Sequence, residues 1–499
     1  MHAHVVHSLS FRKAAHQAVD KICDYFTDLE TRPVTAQVER GYLASRLPNS
    51  VPVLGEPWDV IMRDYEQHIL QGITHWQHPM FFGFFPANTT YEGILADMFA
   101  AMTSNPGFNW NASPAVTELE FIVVDWVAQM LGLSTAFHVA DPTHDGGGIL
   151  FGSASESTLT MAIAARERAL QALCRSTGNS VESVRDTWLP KLVMYCSDQA
   201  HSSGVKTAHV LGLRCHTLRV KREDNYALRG ATLREAIESD LQAGYYPFYL
   251  VSTYGTTNTC AVDRLDEIAA VAHDYPQLWL HVDAAYGGVT LALPEMREAT
   301  LLNAINEHFD SFSTNLHKWG LVPFESSPAF ARHRMHLAAA LTLTPEYLKT
   351  QGGEMHPLSD LRNMQISLGR RFRALKVWFV LRSYGIAGFQ AHLRSHISLA
   401  QSFAKQIVAH NVFETVCPPR WGLVVFRIVR PDKADDELDR LNRAFQRTLS
   451  LHTADIFITP TVIPGVGFCF RWALGAPGVQ SHHVDRAVHL LHQYATELV

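Results

Sequence analysis

The spacing of apolar residues divides the chain into three stretches with different patterns. In the first stretch, apolar residues recur at helical spacing and predict an amphipathic helix that Pro33 ends. The proline-rich run RLPNSVPVLGEPWD then predicts an irregular crossing. Because an isolated helix is marginal in water, we expect this helical arm, residues 1–90, to pack on another part of the protein or on a second copy. The apolar face of the helix consists of Val19, Ile22, Phe26 and Leu29.

In the second stretch, residues 91–375, short apolar runs alternate with amphipathic helices. The clearest helix pattern is SPAVTELEFIVVDWVAQMLGL, where Ser113 suits the N-cap, Pro114 the first turn and Gly132 the end. Four runs predict strands buried on both faces: KLVMYCS, PFYLVSTYG, LWLHVDAA and DSFSTN. This alternation predicts an α/β fold with a mainly parallel central sheet, whose ligand site lies at the carboxyl ends of the strands.

The third stretch, residues 376–499, predicts a smaller α+β domain. GLVVFRIV has the pattern of a strand, and the acidic run DKADDELD is typical of a helix start. No internal repeat or low-complexity tract interrupts the chain. The apolar stripe of the helix after the acidic run consists of Leu438, Leu441, Phe445 and Leu449.

Composition and charge exclude several classes of function. The net charge of −6 is spread without long runs of one sign, so we expect no nucleic-acid partner. The start MHAHVVHSLSFRKAAHQ has no apolar signal core, and no run reaches the ~18 apolar residues of a membrane span, which predicts a cytoplasmic protein without a membrane partner. The 7 scattered cysteines form no C-x-x-C pair and the 27 histidines no H-E-x-x-H motif, so we expect neither a disulfide framework nor a metal site.

A glycine-rich run, DGGGILFGSASEST, offers a candidate phosphate site. Small residues open the next helix there, and the free N–H groups and positive dipole of a helix start attract anions. Ser153, Ala154 and Ser155 are therefore candidate phosphate ligands. The alternative is an ordinary helix after a flexible loop, with Ser155 as its N-cap.

Two charged residues follow predicted strands. Asp283 ends an almost wholly apolar strand, where a buried carboxylate needs a cation unless it forms an Asx-turn or pairs with an internal arginine. Lys318 precedes Trp319 and Gly320, and a partly apolar pocket would lower its pKa and make it nucleophilic, although a lysine after a strand is usually solvated. A phosphate site, an acid and a lysine in this order along the chain fit the cofactor pyridoxal 5′-phosphate. His201 could stack on the ring of this cofactor; the alternative is that His201 is a polar helix cap.

With these residues in hand, the chain resembles the group II pyridoxal-phosphate-dependent decarboxylases, and most closely the aromatic L-amino-acid decarboxylases. The resemblance covers nearly the whole chain and implies a PLP fold type I (aspartate-aminotransferase-like) homodimer, with active sites at the subunit interface. It also implies a helical N-terminal arm, a large cofactor domain and a small C-terminal domain. The motifs are HPMFFGFFPANTTYEGILADM, GFNWNASPAVTELE, GSASEST, SDQAHSS, GTTNTCAVD, WLHVDAAYGG, NLHKW and LGRRFRALKVWFVLRSYG.

The resemblance also implies roles for individual residues. Lys318 would bind the cofactor covalently, Asp283 would pair with the pyridine nitrogen, and His201 would stack on the ring. The phosphate ligands would be Ser153, Ala154, Ser155, Asn315 and His317, with Thr256 near the ring hydroxyl and Ala285 on the opposite ring face. The aromatic substrate would meet Phe84, Phe85, Pro86, Ala87, His201 and, from the partner subunit, Phe108.

A tyrosine on a mobile loop protonates the product carbon in this family, and Tyr347 in LTPEYLKTQGGEMHPLSD matches it. A surface tyrosine is the alternative. Members with phenylalanine there, or with asparagine for the stacking histidine, tend towards oxidative deamination to an aldehyde, so Tyr347 and His201 favour amine formation. Gly369, in LGRRF, also matches the pattern of the aromatic decarboxylases.

Three residues depart from the family pattern: Ala87 replaces a common hydroxyl residue, Pro106 an aliphatic residue and Leu316 a proline. A catechol would lose a partner at Ala87, which favours tryptophan, phenylalanine or tyrosine over dihydroxyphenylalanine. Three alternatives remain open: an aromatic aldehyde synthase on the same scaffold, a decarboxylase of acidic substrates, and a catalytically silent binding protein.

Overall fold

The computed structural model describes residues 8–343 and 357–498, and a seven-stranded sheet forms its centre. The strands are β1 Gly147–Phe151, β2 Leu192–Ser197, β3 Arg214–Leu218, β4 Tyr246–Thr253, β5 Trp279–Asp283, β6 Ser311–Ser313 and β7 Ser327–Ala331. Their order in the sheet is β1–β7–β6–β5–β4–β2–β3. The neighbours from β6 to β3 pair in parallel, while β7 pairs antiparallel with both β1 and β6. The mainly parallel sheet predicted from the sequence is confirmed.

Helices cover both faces of this sheet, which explains why all residues of β1, β2 and β5 are buried. In the described part of the chain, no helix combines the length and apolarity that crossing a bilayer requires. The helices are Ser8–Thr27, Trp58–Asp64, Tyr91–Thr103, Pro114–Leu131, Ala154–Thr177, Val181–Trp188, Ser203–Leu211, Gly230–Gln242, Leu265–Ala272, Ala299–His308, Leu316–Trp319, Arg334–Leu341, Arg373–Ile407, Asp435–Leu451 and Ser481–Thr496.

The helix ends show where local sequence rules hold. Gly132 closes the helix Pro114–Leu131 as predicted, with a left-handed φ of 76° and its N–H bonded back to Ala128. The side chain of Ser113 makes no capping bond, although this residue holds the N-cap position. The helix Asp435–Leu451 begins in the predicted acidic run. The helix Arg373–Ile407 breaks at Gly385, whose φ of 60° and ψ of 176° are not helical.

The first helix is shorter than predicted. It ends at Thr27 rather than at Pro33, and Leu29 lies in a separate 3-10 turn, Leu29–Thr31. Leu29 is buried, whereas Val19 on the predicted apolar face is exposed. Packing of Leu29 into the protein therefore decides its conformation more strongly than the helical spacing of the apolar residues does. The prediction that Pro33 ends the helix is wrong.

The C-terminal part has its own antiparallel sheet in the order β10–β11–β9–β8. Its strands are β8 Phe413–Thr415, β9 Leu423–Ile428, β10 Thr459–Ile463 and β11 Gly467–Ala473. A segment from the N-terminal part joins this sheet: the Phe82 N–H donates to Phe457 O at 2.8 Å, and the Ala473 N–H donates to Phe82 O at 3.0 Å. The predicted domain limits at 90 and 375 remain predictions; the helix Arg373–Ile407 runs across the second of them.

Candidate active site

A cavity of about 590 Å³ opens where the central sheet meets the small C-terminal sheet. Lys318 lines it from the short helix Leu316–Trp319, which follows β6, so the lysine is not on the strand end itself. His201 lines it from the loop after β2. The predicted location at the carboxyl ends of parallel strands agrees with this arrangement. The complete lining is Trp76, Phe84, Phe85, Pro86, Ala87, His201, Thr257, His317, Lys318, Phe324 and Arg471.

Phe108 is the one predicted substrate residue that the structure does not bring to this cavity. Its side chain is half-buried elsewhere, and its carbonyl oxygen accepts the Arg362 N–H at 3.1 Å. The sequence prediction placed Phe108 in the active site of a partner subunit. A single chain therefore supplies Phe84, Phe85, Pro86 and Ala87 to the cavity, but not Phe108.

Lys318 has the environment of a reactive amine. Burial lowers its pKa, Arg471 lowers it further, and the negative charge of Asp283 opposes both effects. Its Nζ lies 5.1 Å from the centre of the Phe85 ring. A lowered pKa increases the share of neutral amine at physiological pH, and only the neutral amine attacks a carbonyl carbon.

Asp283 ends β5 below the cavity and is 4% exposed. Its Oδ1 accepts the Ala285 N–H at 3.0 Å, an Asx-type bond that the sequence left open as an alternative. This bond leaves Oδ2 available to a ligand. Within the described residues, no basic side chain forms an ion pair with Asp283. Because Asp283 perturbs the pKa of both Lys318 and His201, the three groups share one electrostatic environment.

His201 presents its ring to the cavity with one nitrogen already engaged. Nδ1 lies 3.0 Å from Ser203 Oγ and 3.2 Å from Ser203 N, which fixes the ring at the start of the helix Ser203–Leu211. Burial lowers the pKa of His201, Lys318 lowers it further, and Asp283 acts in the opposite direction. The lowered pKa favours the neutral form of the imidazole at physiological pH.

The candidate phosphate site differs in detail from the sequence prediction. Ser153, not Ser155, is the N-cap of the helix Ala154–Thr177: its Oγ accepts the Glu156 N–H at 3.1 Å. Ser155 is exposed in the first turn. Glu156 Oε2 in turn accepts the Gly152 N–H at 2.9 Å. These bonds leave the N–H groups of Ala154 and Ser155, which have no partner inside a helix, free for an anion.

His317 and Asn315 offer further donors beside Lys318. The Nδ1 of His317 lies 3.0 Å from Ser326 N and 2.9 Å from Ser326 O, so the backbone of Ser326 engages this nitrogen and leaves Nε2 for a ligand. Burial, reinforced by Lys318, lowers the pKa of His317 to about 4. Asn315 Oδ1 accepts the Ser327 hydroxyl at 2.6 Å, which leaves the amide nitrogen of Asn315 as a donor.

Thr256 and Ala285 lie beside the cavity rather than on its wall. The Thr256 hydroxyl is fully buried, accepts the Ala261 N–H at 2.9 Å and lies 3.1 Å from the Thr259 hydroxyl. Its neighbour Thr257 lines the cavity instead. Ala285 donates its N–H to Asp283, and its carbonyl oxygen accepts the Asn315 N–H at 3.1 Å. Both residues thus fix the loops that carry the site.

Arg471 is the one charged cavity residue that sequence reasoning missed, along with the uncharged Trp76, Thr257 and Phe324. It lies on β11 and is 5% exposed, with its Cζ 4.6 Å from the centre of the Phe85 ring. Among the described residues, neither its Nε nor its Nη2 has a hydrogen-bond partner. A buried guanidinium without an anion is costly, so this group calls for a negatively charged ligand. The only sequence signal is an arginine inside the apolar run GFCFRWA.

A stack of aromatic rings supports the cavity floor. Phe85 stacks on Tyr286 with ring centres 4.1 Å apart, and Tyr286 stacks on Trp319 at 5.2 Å. The Trp319 indole then donates to His396 Nδ1 at 2.9 Å. The stack joins the predicted substrate wall to the residue after Lys318 and to the C-terminal part of the chain. Tyr347, the predicted proton donor, lies outside the described residues.

Comparison with known proteins gives one consistent answer. The family model described as "Pyridoxal-dependent decarboxylase conserved domain" matches residues 41–429. The chain is 40% identical to tryptophan decarboxylase TDC2 of Camptotheca acuminata over 98% of this chain and 95% of that one. It is 38% identical to phenylacetaldehyde synthase of Arabidopsis thaliana over 99% and 97%. The crystal structure of Oryza sativa TDC with PLP and tryptamine superposes with a TM-score of 0.92, at 34% identity over 99% of both chains.

Proposed function

Because the chain belongs to the family of pyridoxal-dependent decarboxylases and takes pyridoxal 5′-phosphate as cofactor, we propose that it decarboxylates aromatic L-amino acids to arylalkylamines and CO₂. One observation carries this proposal. A single cavity combines the buried amine of Lys318, the unpaired guanidinium of Arg471 and a wall of aromatic rings. These are the groups that an aromatic amino acid and an aldehyde cofactor require.

The residues of the site fit the cofactor. The N–H groups of Ala154 and Ser155, with His317 Nε2, are donors suited to a phosphate. Asp283 forms no ion pair within the described chain, and its Oδ2 would suit a protonated ring nitrogen. The neutral His201 ring suits stacking on one face of the cofactor. When bound, the cofactor supplies a ring that accepts the electron pair left behind by CO₂.

Lys318 would hold the cofactor through its aldehyde group, because its amine is buried in the cavity. The lowered pKa of Lys318 lets the amine attack without first losing a tightly held proton. Trp319 and its bond to His396 fix the end of the short helix that carries the lysine. Asp283 at the end of β5 would pair with the protonated ring nitrogen of the cofactor.

Arg471 binds the substrate carboxylate. A guanidinium matches a carboxylate in geometry as well as charge, and two of its nitrogens lack partners within the described residues. Arg471 and Lys318 lie against the same Phe85 ring, so a carboxylate held by Arg471 would lie near the Lys318 amine. Holding the carboxylate fixes the orientation of the bond that breaks, which is an entropic contribution to catalysis.

The cavity walls favour an aromatic side chain over an acidic one. Phe84 stacks on Trp76 with ring centres 5.4 Å apart, and Phe324 packs edge-on against His317 at 4.7 Å. An acidic substrate would need a cation such as an arginine for its distal carboxylate, and Arg471 is an arginine on the cavity wall. However, a second carboxylate would need a second cation, and Arg471 is the one arginine on the described cavity wall. Ala87 still favours tryptophan, phenylalanine or tyrosine over dihydroxyphenylalanine.

The test is an amine-product screen of the purified holoenzyme with each aromatic L-amino acid. We expect amine and CO₂ in equal amounts, without aldehyde. Tyr347→Phe, the predicted loss of the proton donor, should lower amine formation by about 10²–10⁴-fold, the usual contribution of a positioned acid. No amine from any aromatic substrate would remove the substrate proposal, and unchanged amine formation by the variant would remove Tyr347 as the donor.

An aromatic aldehyde synthase is the second candidate function, because the Arabidopsis thaliana phenylacetaldehyde synthase is nearly as similar as the decarboxylase. Such an enzyme consumes O₂ and water and releases aldehyde, ammonia and hydrogen peroxide together with CO₂. His201 and Tyr347 favour the amine in this chain. Hydrogen peroxide and ammonia formed in step with CO₂ would establish the synthase instead.

We further propose that the enzyme is a homodimer. Phe108 does not reach the cavity of its own chain, and large apolar side chains of the N-terminal half are exposed, among them Met102 at 74% and Trp110 at 47%. A second copy would cover this surface and supply Phe108. Molar mass from light scattering tests the dimer. A monomeric active enzyme would contradict it.

A further inference from the structure

Asn88 links three parts of the active site through its hydrogen bonds. It follows the substrate-facing residues Phe84 to Ala87 and is 2% exposed. Its backbone N–H donates to His317 O at 2.8 Å. Its side-chain Oδ1 accepts the Leu321 N–H at 3.0 Å, and its Nδ2 donates to Gly475 O at 2.7 Å. These three hydrogen bonds of Asn88 therefore go either to the segment from His317 to Leu321, the Lys318 turn, or to the C-terminal part of the chain.

The Lys318 turn depends on these bonds because its end is strained. Leu321 has a φ of 63°, a left-handed conformation that a leucine rarely adopts. Asn88 bonds the N–H of Leu321, and the Thr90 hydroxyl donates to its carbonyl oxygen at 3.2 Å. Both backbone groups of the strained residue are thus held by the segment after the substrate wall. Such a residue keeps its conformation only when its surroundings determine it.

Gly475 completes the arrangement from the other side. A methyl group at Gly475 would lie 2.0 Å from Pro86 Cγ, so the substrate segment approaches the C-terminal part closely. The bond from Asn88 to the Gly475 carbonyl fixes this approach. The position of Pro86 and Ala87 on the cavity wall and the position of Lys318 are therefore set by the same side chain.

We propose that Asn88 is a positioning residue that holds the Lys318 turn and the substrate wall in one fixed arrangement. The inference rests on the proposed role of Lys318, and it adds a residue that acts on catalysis through the backbone alone. Loss of its side chain leaves the Leu321 N–H and the Gly475 carbonyl without partners inside the protein. The turn then samples other conformations, and the lysine spends less time in the reactive geometry.

The experiment compares Asn88→Ala with Asn442→Ala. Asn442 is a matched control: it is fully buried, accepts the Ile428 N–H at 2.7 Å and donates to Ile428 O at 3.0 Å, but it does not line the cavity. We expect Asn88→Ala to lower kcat about tenfold while KM changes less than threefold, and Asn442→Ala to change neither. Both variants should lower the melting temperature.

A readout independent of activity is amide hydrogen exchange of the cofactor-free protein. Asn88→Ala should speed exchange at Leu321 by about tenfold, whereas Asn442→Ala should leave it unchanged. Asn88→Asp is the conservative variant. In its protonated form the acid can still accept from Leu321 and donate to Gly475, so its kcat should approach the wild-type value at low pH and fall as the acid ionises.

Unchanged exchange at Leu321 in Asn88→Ala would overturn the proposal, as would equal losses of kcat in Asn88→Ala and Asn442→Ala. Failure of the underlying function is distinguished with Lys318→Ala. If that variant still forms a covalent bond with the cofactor after borohydride reduction, the role of Lys318 is wrong. The exchange result would then still report on Asn88, because it needs no cofactor.

Discussion

Replacement of Arg471 by methionine tests the carboxylate site most directly. The change removes a guanidinium that is 5% exposed and has two nitrogens without partners in the described chain, and it keeps a long side chain in the same space. A hydrogen bond to a charged group contributes roughly 1.5–3 kcal/mol, so the loss of a bidentate carboxylate contact should cost about 3–4 kcal/mol. That free energy corresponds to a fall in kcat/KM of about 10²–10³-fold.

Stability should change in the opposite direction. A buried cation without a partner destabilises the cofactor-free fold, and its replacement by an apolar side chain should raise the free energy of unfolding. The contact with the Phe85 ring, 4.6 Å from the Arg471 Cζ, offsets part of this gain. We expect a net increase of about 1–2 kcal/mol. Arg471→Met should therefore be a more stable and less active protein.

The assay uses two ligands that differ by one group. L-Tryptophan carries the carboxylate and tryptamine does not, so Arg471→Met should lower kcat/KM for tryptophan but leave inhibition by tryptamine unchanged. Arg427→Met is the control, because Arg427 on β9 is also buried but is paired with Glu414 at 2.6 Å. It should destabilise the fold and leave kcat/KM unchanged. A loss below tenfold for Arg471→Met, or equal losses for both ligands, would refute the carboxylate assignment.

Two further predictions concern charge. Asp283→Asn should keep the cofactor, measured by its visible absorbance, but lower kcat by about 10³-fold. The reason is that two charges ~4 Å apart at an effective dielectric of ~20 interact by about 4 kcal/mol. A loss of kcat below tenfold would contradict this prediction. The pKa of His317 is about 4 in the folded protein and 6.5 in the unfolded chain. The neutral imidazole therefore makes its full contribution to the free energy of unfolding above pH 6.5, and this contribution is lost as the pH falls towards 4. Between pH 6.5 and 5 the cofactor-free wild type should lose about 2 kcal/mol more unfolding free energy than His317→Asn; equal losses would rule out the buried neutral imidazole.

The proximity of Asp283, Lys318 and His201 could be predicted from the sequence because all three lie at or after the ends of strands in one sheet. Asp283 ends β5 and Lys318 follows β6, which pairs in parallel with β5, and His201 follows β2, two positions from β5 in the sheet. Residues after parallel strands meet at one edge whatever the loop lengths between them. An acid or a lysine at the end of an apolar run can therefore be recognised as a candidate site residue from the sequence alone. Their roles at the cofactor remain predictions.

Other features depend on contacts that have no local signature. The choice of Ser153 over Ser155 as N-cap depends on where the loop leaves β1, and hydroxyl residues at both positions satisfy the same rule. Arg471 has the spacing of an ordinary strand residue, and only the approach of Phe85 from a distant segment places it in the cavity. Asn88 is likewise an unremarkable loop amide until Leu321 and Gly475 are placed beside it.

The insertion of Phe82 between Phe457 and Ala473 has a consequence for biosynthesis. Almost four hundred residues separate the two sides of this contact, so the cavity wall cannot close while the chain is still being made. Until β11 leaves the ribosome, the aromatic segment around Phe85 has no Arg471 beside it and stays uncovered. A nascent polypeptide at that stage exposes aromatic surface that a chaperone can bind, and a nonsense mutation before codon 471 would remove the arginine that we propose to bind the carboxylate.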